Sequence, residues 1–119
     1  NMKAKISFNS SIIEFPLKKC SSWEKFKGLM FSTTNSPLLI EIKDKPIHSM
    51  FVFYPFLAIW LNDENKIVDY KLVHPFTSSI LPQSKFSKII EIPYKDDFKN
   101  IVDELLGQKD LNMESASIN

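Results

Sequence analysis

Arginine is absent from this sequence, and cysteine, glycine and histidine are scarce among its 119 residues. All fifteen basic residues are lysine, and against fourteen acidic residues they leave a net charge of +1. Arginine is the side chain that reads guanine and grips phosphate with two hydrogen bonds, and a surface that binds nucleic acid is usually basic. We therefore expect no nucleic-acid partner.

The single cysteine and the two histidines limit metal and nucleophilic chemistry. Cys20 cannot form an internal disulfide, so it is predicted to be a small, partly buried apolar side chain; a thiol activated by the neighbouring lysines is the weaker interpretation. Zinc sites use three or four protein ligands, and His48, His74 and Cys20 lie far apart in the sequence. We expect His48 in a strand and His74 at the mouth of a loop, where a functional role is the better hypothesis. No metal is expected.

Motifs for catalysis or cofactor binding are also missing. Two glycines are too few for a phosphate-binding loop or a dinucleotide fingerprint, and no serine lies in a Gly-x-Ser-x-Gly turn. The acidic pairs Asp63-Glu64 and Asp96-Asp97 fit a turn and a helix start. We predict no catalytic residue and no cofactor. No apolar run approaches the ~18 residues of a membrane span, so we expect a cytoplasmic protein.

Most of the chain alternates between apolar and polar residues or forms short apolar runs, which is typical of β-strands. The pattern predicts strands at residues 3–8, 11–17, 38–42, 47–54, 57–61, 66–73 and 87–92. Many short strands at close spacing favour a mainly β fold, either a β-sandwich or a partly closed barrel. Residues 74–82 are predicted to form a long loop, and long loops in small domains are often functional.

One short and one longer α-helix are predicted. A capping box starting at Ser21 begins a short helix at residues 22–27, which Gly28 ends. The longer helix, residues 96–106, has apolar residues at the i, i+3, i+4, i+7 and i+8 spacing of one buried stripe and ends before Gly107. These residues are Phe98, Ile101, Val102, Leu105 and Leu106. We expect one domain at residues 1–107 and a frayed polar tail at 108–119.

The order of several short motifs along the chain is distinctive. A Gly-Leu-Met segment follows the short helix, a methionine lies in the strand at 47–54, and Ile-Glu-Ile-Pro ends the last strand. This order resembles the family known as domain of unknown function 192, over residues 12–107. The matching positions are Gly28, Leu29, Met30, Met50 and Glu91. The resemblance implies a small, mainly β fold of sandwich type and no established activity.

The departures from the family pattern replace polar residues with apolar ones. Where the family has a Lys-Asn pair after the strand methionine, this chain has Phe51 and Val52, and Leu57 stands in place of a family aspartate. The aromatic position before the methionine is Ser49. An activity that depended on those polar groups is therefore not expected here.

The aromatic segment from Met50 to Trp60 is the most unusual part of the sequence. It is predicted to be a central strand buried on both faces. Alternatively, one face lines an apolar pocket, or forms a patch that a partner or second copy covers. Our leading hypothesis is a non-catalytic module that binds a small ligand or peptide in an apolar groove between this strand, residues 28–31 and residues 74–82. The candidate ligand-binding residues are Met30, Met50, Phe51, Phe53, Trp60 and His74.

Two other functional classes remain open. A protein–protein interaction or dimerisation module would use the same apolar face to bind a partner or a second copy of the chain. A hydrolytic enzyme is the third and weakest interpretation, because it needs a histidine close to a carboxylate or serine in a cleft. The expected partners are thus a small apolar molecule or a protein, and the chain is expected to be a monomer or a homodimer.

Overall fold

The structure is a computed structural model, and it describes residues 2–8, 11–20, 36–47, 54–107 and 113–118. These ranges contain seven strands and one α-helix. The strands are β1 (Met2–Phe8), β2 (Ser11–Cys20), β3 (Leu38–Glu41), β4 (Phe56–Leu61), β5 (Ile67–Val73), β6 (Lys88–Pro93) and β7 (Met113–Ile118). A 3-10 turn at Asp96–Phe98 leads into the helix α1 (Lys99–Gly107).

All seven strands belong to one mixed sheet with the order β5-β4-β6-β3-β2-β1-β7. Neighbouring strands are antiparallel except β2 and β3, which are parallel. The sheet curls until its edge strands approach each other, where the Ala116 N–H donates to the Asn65 carbonyl oxygen at 2.9 Å and Lys66 faces Ser115. Within the described residues this contact does not extend into a ladder, so the sheet is not closed into a barrel.

One side of the curled sheet, which we call the inner face, packs against α1. Val102 and Leu105, three residues apart on the helix, are buried in this contact. The strands contribute the alternate side chains that point to this side of the sheet. They are Ala4, Ile6, Ile13, Phe15, Leu17, Leu39, Leu57, Ile59, Leu61, Ile90, Ile92 and Ala116, all apolar.

The opposite side of the same strands forms a second apolar cluster, which we call the Trp60 face. Every residue of β4 is buried, because its alternate side chains belong to the two clusters in turn. Ile47, Ile80 and Phe86 join this cluster from segments outside the strands. The buried members of the Trp60 face are Cys20, Leu38, Ile40, Ile47, Phe56, Ala58, Trp60, Val73, Ile80, Phe86 and Ile89.

The predicted mainly β fold is confirmed, and the longer helix begins and ends close to its predicted residues. The sandwich is not confirmed, because the strands form one curled sheet. The predicted short helix at 22–27 and most of the predicted strand at 47–54 lie outside the described residues. In the part of the chain that the structure describes, no helix has both the length and the hydropathy needed to cross a membrane.

The C-terminal segment corrects one prediction. Residues 113–118 were expected in a frayed tail, but they form β7, which pairs with β1. Ala116 lies opposite Ile6 and Ile118 opposite Ala4, so the apolar side chains of a mostly polar segment reach the inner face. The local composition did not predict this strand, because it is stabilised by pairing with β1 at the other end of the chain.

Candidate functional site

The Trp60 face carries a buried carboxyl group. Glu91 lies in β6 and is paired with Leu38 of β3 on one side and Ala58 of β4 on the other. Both neighbours belong to the Trp60 face, so the Glu91 side chain points to that side of the sheet. Glu91 is 1% exposed, and neither of its carboxyl oxygens has a hydrogen-bond partner among the described residues.

Burial raises the pKa of the Glu91 carboxyl well above its usual value. The physical cause is desolvation, since the charged form loses its hydration on a face made of apolar side chains. Glu91 therefore favours its uncharged form. A protonated carboxyl offers one O–H donor and keeps acceptor capacity on its oxygens.

Two further buried polar atoms lie on or beside the same strands, one diagonal to Glu91 and one four residues before it, about 13 Å along the strand. Trp60 Nε1 and Ser87 Oγ have no hydrogen-bond partner in the part of the chain that the structure describes. Trp60 pairs with Ile89, so Glu91 is its diagonal neighbour across β4 and β6, a separation of about 7–8 Å. Ser87 directly precedes β6. Unpaired buried polar groups are rare in native proteins, and each one suggests a role or a missing partner.

A small residue lies opposite the buried carboxyl. Ala58 pairs directly with Glu91, whereas Phe56 and Trp60, its neighbours on the same side of β4, are large aromatics. The alanine gives the Glu91 side chain space on a face that is otherwise filled by bulky groups. The carboxyl thus lies in apolar surroundings.

Two clefts in the described surface meet beside this face. They have volumes of about 200 and 230 Å³ and share Asp44, Lys85 and Phe86 in their walls. The Phe86 ring packs edge-on against Trp60, with 6.4 Å between ring centroids. Phe86 therefore lies between the clefts and the buried indole. The first cleft is also lined by Lys43, Asn62, Asp63 and Ser87, and the second by Leu81, Pro82, Gln83 and Ser84.

The segments 44–47 and 80–86, which we call the cover, pack onto the Trp60 face through Ile47, Ile80 and Phe86. Two pairs of residues join these segments. The Phe86 N–H donates to Asp44 Oδ1 at 2.8 Å, and the Asp44 N–H donates to the Phe86 carbonyl oxygen at 3.2 Å. Asp44 has a φ of 52°, a left-handed conformation that aspartate adopts more readily than most residues. Ile47 and Ile80 exchange backbone hydrogen bonds of 3.0 and 2.8 Å. Among the described residues, the two segments of the cover are thus joined by isolated backbone contacts rather than by a continuous β-ladder.

The loop after β5 exposes two large apolar side chains. Phe76 is 56% exposed and Leu81 is 54% exposed. Phe76 also has a φ of 62°, which is uncommon for a bulky residue and is often found at functional positions. Leu81 lines the second cleft, so this loop, predicted to be functional, does border a cavity.

Of the predicted ligand-binding residues, the structure describes Trp60 and His74. Trp60 is buried in the core, and His74 is exposed at the start of the loop, where its carbonyl oxygen accepts a hydrogen bond from Thr77 Oγ1 at 2.7 Å. Neither residue lines either of the two described clefts. The other predicted residues lie outside the described ranges, as does His48. They are Met30, Met50, Phe51 and Phe53.

Sequence reasoning did not propose Glu91, Ser87 or Phe86 as site residues. The available signal was the run Ile89-Ile90-Glu91-Ile92, in which one charged residue interrupts a sequence typical of a strand buried on both faces. No comparable signal marks Phe86, because its place beside Trp60 depends on how the loop returns to the sheet. In the described ranges, no three His, Cys, Asp or Glu side chains come together as metal ligands.

Comparisons with known proteins show similarity of fold. No family model and no curated protein matches the chain. It is similar to a solved protein of unknown function from Novosphingobium aromaticivorans DSM 12444, with 14% identity, a TM-score of 0.66, and coverage of 98% of this chain and 83% of that chain. It is also similar to a protein from Sinorhizobium meliloti 1021 provisionally described as a transcription regulator, with 8% identity, a TM-score of 0.73, and coverage of 98% and 92%. At such identities only the fold is shared.

Proposed function

We propose that this protein is a non-catalytic module that binds a small ligand on the Trp60 face, beside Glu91. The observation that carries this proposal is the buried Glu91 carboxyl, whose oxygens have no partner among the described residues. Ligand sites are mostly apolar and contain a few polar groups that orient the ligand. The Trp60 face has this composition, with Glu91 and Trp60 Nε1 as the polar groups. A bound ligand would supply the hydrogen bonds that the described residues do not make to Glu91 and Trp60.

The clefts support a route to this face. Phe86 lines both clefts and contacts Trp60, so rotation of its ring would connect the solvent to the indole. The segments that carry Phe86 and Ile80 are held by the isolated bonds to Asp44 and Ile47. Segments with few backbone bonds open at lower free energy than strands in a sheet. Access to the site therefore needs movement of a loop rather than of the sheet.

The family resemblance stays a prediction and contributes no activity to the proposal. Its matching position Glu91 is the residue on which the proposed site depends, while its positions 28–30 and 50 lie outside the described residues. The regulatory description of the Sinorhizobium protein belongs to that protein. The absence of nucleic-acid binding also remains a prediction from the sequence.

The proposal is tested with Nile red, an uncharged dye whose fluorescence rises in apolar sites. Ala58→Val places extra volume opposite Glu91, and we expect it to reduce dye binding at least about tenfold. Ala4→Val is the matched control, because Ala4 is equally buried but lies on the inner face. Overpacking lowers stability by about 1–3 kcal/mol in both variants, so circular dichroism first confirms that each is folded. Equal binding by wild type and both variants would reject the site.

A second candidate function is a protein–protein interaction or dimerisation module. The observation in its favour is the exposure of Phe76 and Leu81 on one loop. If this loop is the functional surface, Phe76→Asn and Leu81→Ser together abolish Nile red binding or change the mass measured by light scattering, while Ala58→Val has no effect. The ligand-binding proposal predicts the reverse pattern in the same assays.

A further inference from the structure

We infer that the Trp60 face binds an uncharged molecule in which an apolar ring or chain carries a carbonyl group, as in a primary amide. This inference rests on the proposed function and specifies its ligand class. It follows from the hydrogen-bonding capacity of the unpaired groups and from the charge of their surroundings. Both are fixed by residues of the sheet and its cover.

The unpaired groups are mainly donors. The Trp60 indole can only donate, through Nε1–H, and a protonated Glu91 donates through its O–H and accepts on the other oxygen. A ligand oxygen that accepts two hydrogen bonds, next to a group that donates one, matches this set. A carbonyl oxygen has two lone pairs, and an amide adds the N–H donor.

The surroundings disfavour a charged ligand. Among the described residues Glu91 is the only buried charged side chain. The lysines that the strand register places on the same side of the sheet, Lys18 and Lys71, are exposed and lie two strands away from it. Tyr54 packs against this face. Burial raises the pKa of Tyr54 to about 12, so its hydroxyl also stays uncharged. A carboxylate ligand beside Glu91 would therefore have no buried cation to pair with among the described residues. An ammonium ligand would require Glu91 to ionise within an apolar cluster, at a high desolvation cost.

The ligand's apolar part is set by the side chains around Glu91. Ala58 lies directly opposite the carboxyl, and Phe56, Leu38 and Trp60 surround that position on the same face. Flat aromatic groups pack well against such side chains, either offset or edge-on. Phe86 already contacts Trp60 edge-on at the border of the clefts. Trp60 therefore already accommodates an edge-on ring against its own ring.

Three probes of the same shape test the inference. Benzamide, benzoate and benzylammonium differ in charge and in hydrogen-bonding groups, and their binding is measured at pH 7 by protein-observed NMR titration. We expect benzamide to bind at least about tenfold more tightly than either ion. Trp60→Phe, which removes the N–H donor, should weaken benzamide binding about two- to tenfold, the range of one hydrogen bond. Ala4→Val on the inner face is the control and should leave Kd unchanged.

Substitutions of Glu91 separate the protonated from the ionised carboxyl. Glutamine keeps one acceptor oxygen and offers donors, as the protonated acid does, so Glu91→Gln should change the Kd of benzamide by no more than about threefold. Leucine has neither group, so Glu91→Leu should weaken binding about tenfold. If Glu91→Gln instead abolished binding, or if benzylammonium bound most tightly, the ligand class would be overturned.

The remaining outcomes distinguish the inference from the proposed function. If none of the three probes binds but Nile red binding still depends on Ala58, the carbonyl class is wrong and the site stands. If neither the probes nor Nile red depends on residues of the Trp60 face, both fail. A crystal structure grown with benzamide in which only ordered water contacts Glu91 would also overturn the inference.

Discussion

The two faces of the curled sheet are built from the same strands but differ in their polar content. Along β4, Leu57 and Ile59 point to the inner face, while Ala58 and Trp60 point to the Trp60 face. The buried residues of the inner face are all apolar and pack against α1. The Trp60 face is also lined by buried apolar side chains, but it contains the buried carboxyl of Glu91 and an indole N–H that have no hydrogen-bond partner among the described residues.

This difference distinguishes a face that stabilises the fold from the face on which we propose that a ligand binds. Leaving a buried polar group unpaired costs about 1–3 kcal/mol, a large fraction of the 5–15 kcal/mol stability of a typical domain. A protein can retain such a group when function requires it. The inner face shows that this sequence can complete an apolar core without one.

The largest expected effect is on the inner face. Leu57 is fully buried in the central strand β4, so Leu57→Ala should lower the free energy of unfolding by about 2–5 kcal/mol through lost burial and a cavity. Nile red binding by the folded fraction should not change, because the Trp60 face is intact. Urea denaturation followed by circular dichroism measures the loss. A loss below about 1 kcal/mol, or a loss of dye binding, would break the proposed division between the faces.

On the Trp60 face, substitution of the buried carboxyl should change the free energy of unfolding in the opposite direction. Glu91→Leu replaces an unpaired polar group with an apolar one of similar size, and we expect it to raise the free energy of unfolding by about 1–3 kcal/mol. The control is Glu14→Leu, since Glu14 is exposed and faces Lys3 and Lys5 at 3.4 and 3.9 Å; exposed pairs contribute roughly 0–1 kcal/mol. A destabilised Glu91→Leu would show that the carboxyl supports the fold.

The smallest expected effect is the pH dependence that Glu91 gives to the stability of the fold. The folded pKa of Glu91 lies above its usual value of 4.5, so the folded state holds a proton that the unfolded state releases. Stability from this group is therefore complete below pH 4.5 and decreases as pH rises towards the folded pKa. Glu41, whose pKa is lowered by Lys19, acts in the opposite direction. Subtracting the urea-derived stabilities of Glu91→Leu from those of wild type at pH 5, 6 and 7 isolates the Glu91 slope, and a flat difference would contradict its burial in an uncharged form.

Elements whose pattern is local could be predicted from the sequence. The helix stripe that includes Val102 and Leu105 predicted α1, and alternation or short apolar runs predicted most strands within a few residues. β7 was missed because Ala116 and Ile118 have little apolar character around them, and their burial depends on pairing with β1. The single sheet instead of a sandwich depends likewise on which strands pair, and strand pairing is not encoded in local periodicity.

The candidate site was predictable only in part. Trp60 was proposed because aromatic residues are dense in its segment, and its role in ligand binding stays a prediction. Loop 74–82 was singled out because it is long, and its Leu81 lines a cleft. His74 was placed in the same site, but in the structure it lines neither described cleft. Glu91 was matched to a family pattern without a role, since its burial follows from its pairing with Leu38 and Ala58.

The sequence by itself determined a mainly β protein with one long amphipathic helix, because side-chain periodicity reports which sides of an element are buried. It also determined the low net charge and the absence of arginine, which disfavour nucleic-acid binding. Only the tertiary structure decided that one sheet packs around α1 and that Glu91 is buried on the face opposite the helix, with no hydrogen-bond partner among the described residues. The physical reason is that desolvation of a side chain depends on its neighbours across the sheet, and those neighbours come from distant parts of the chain.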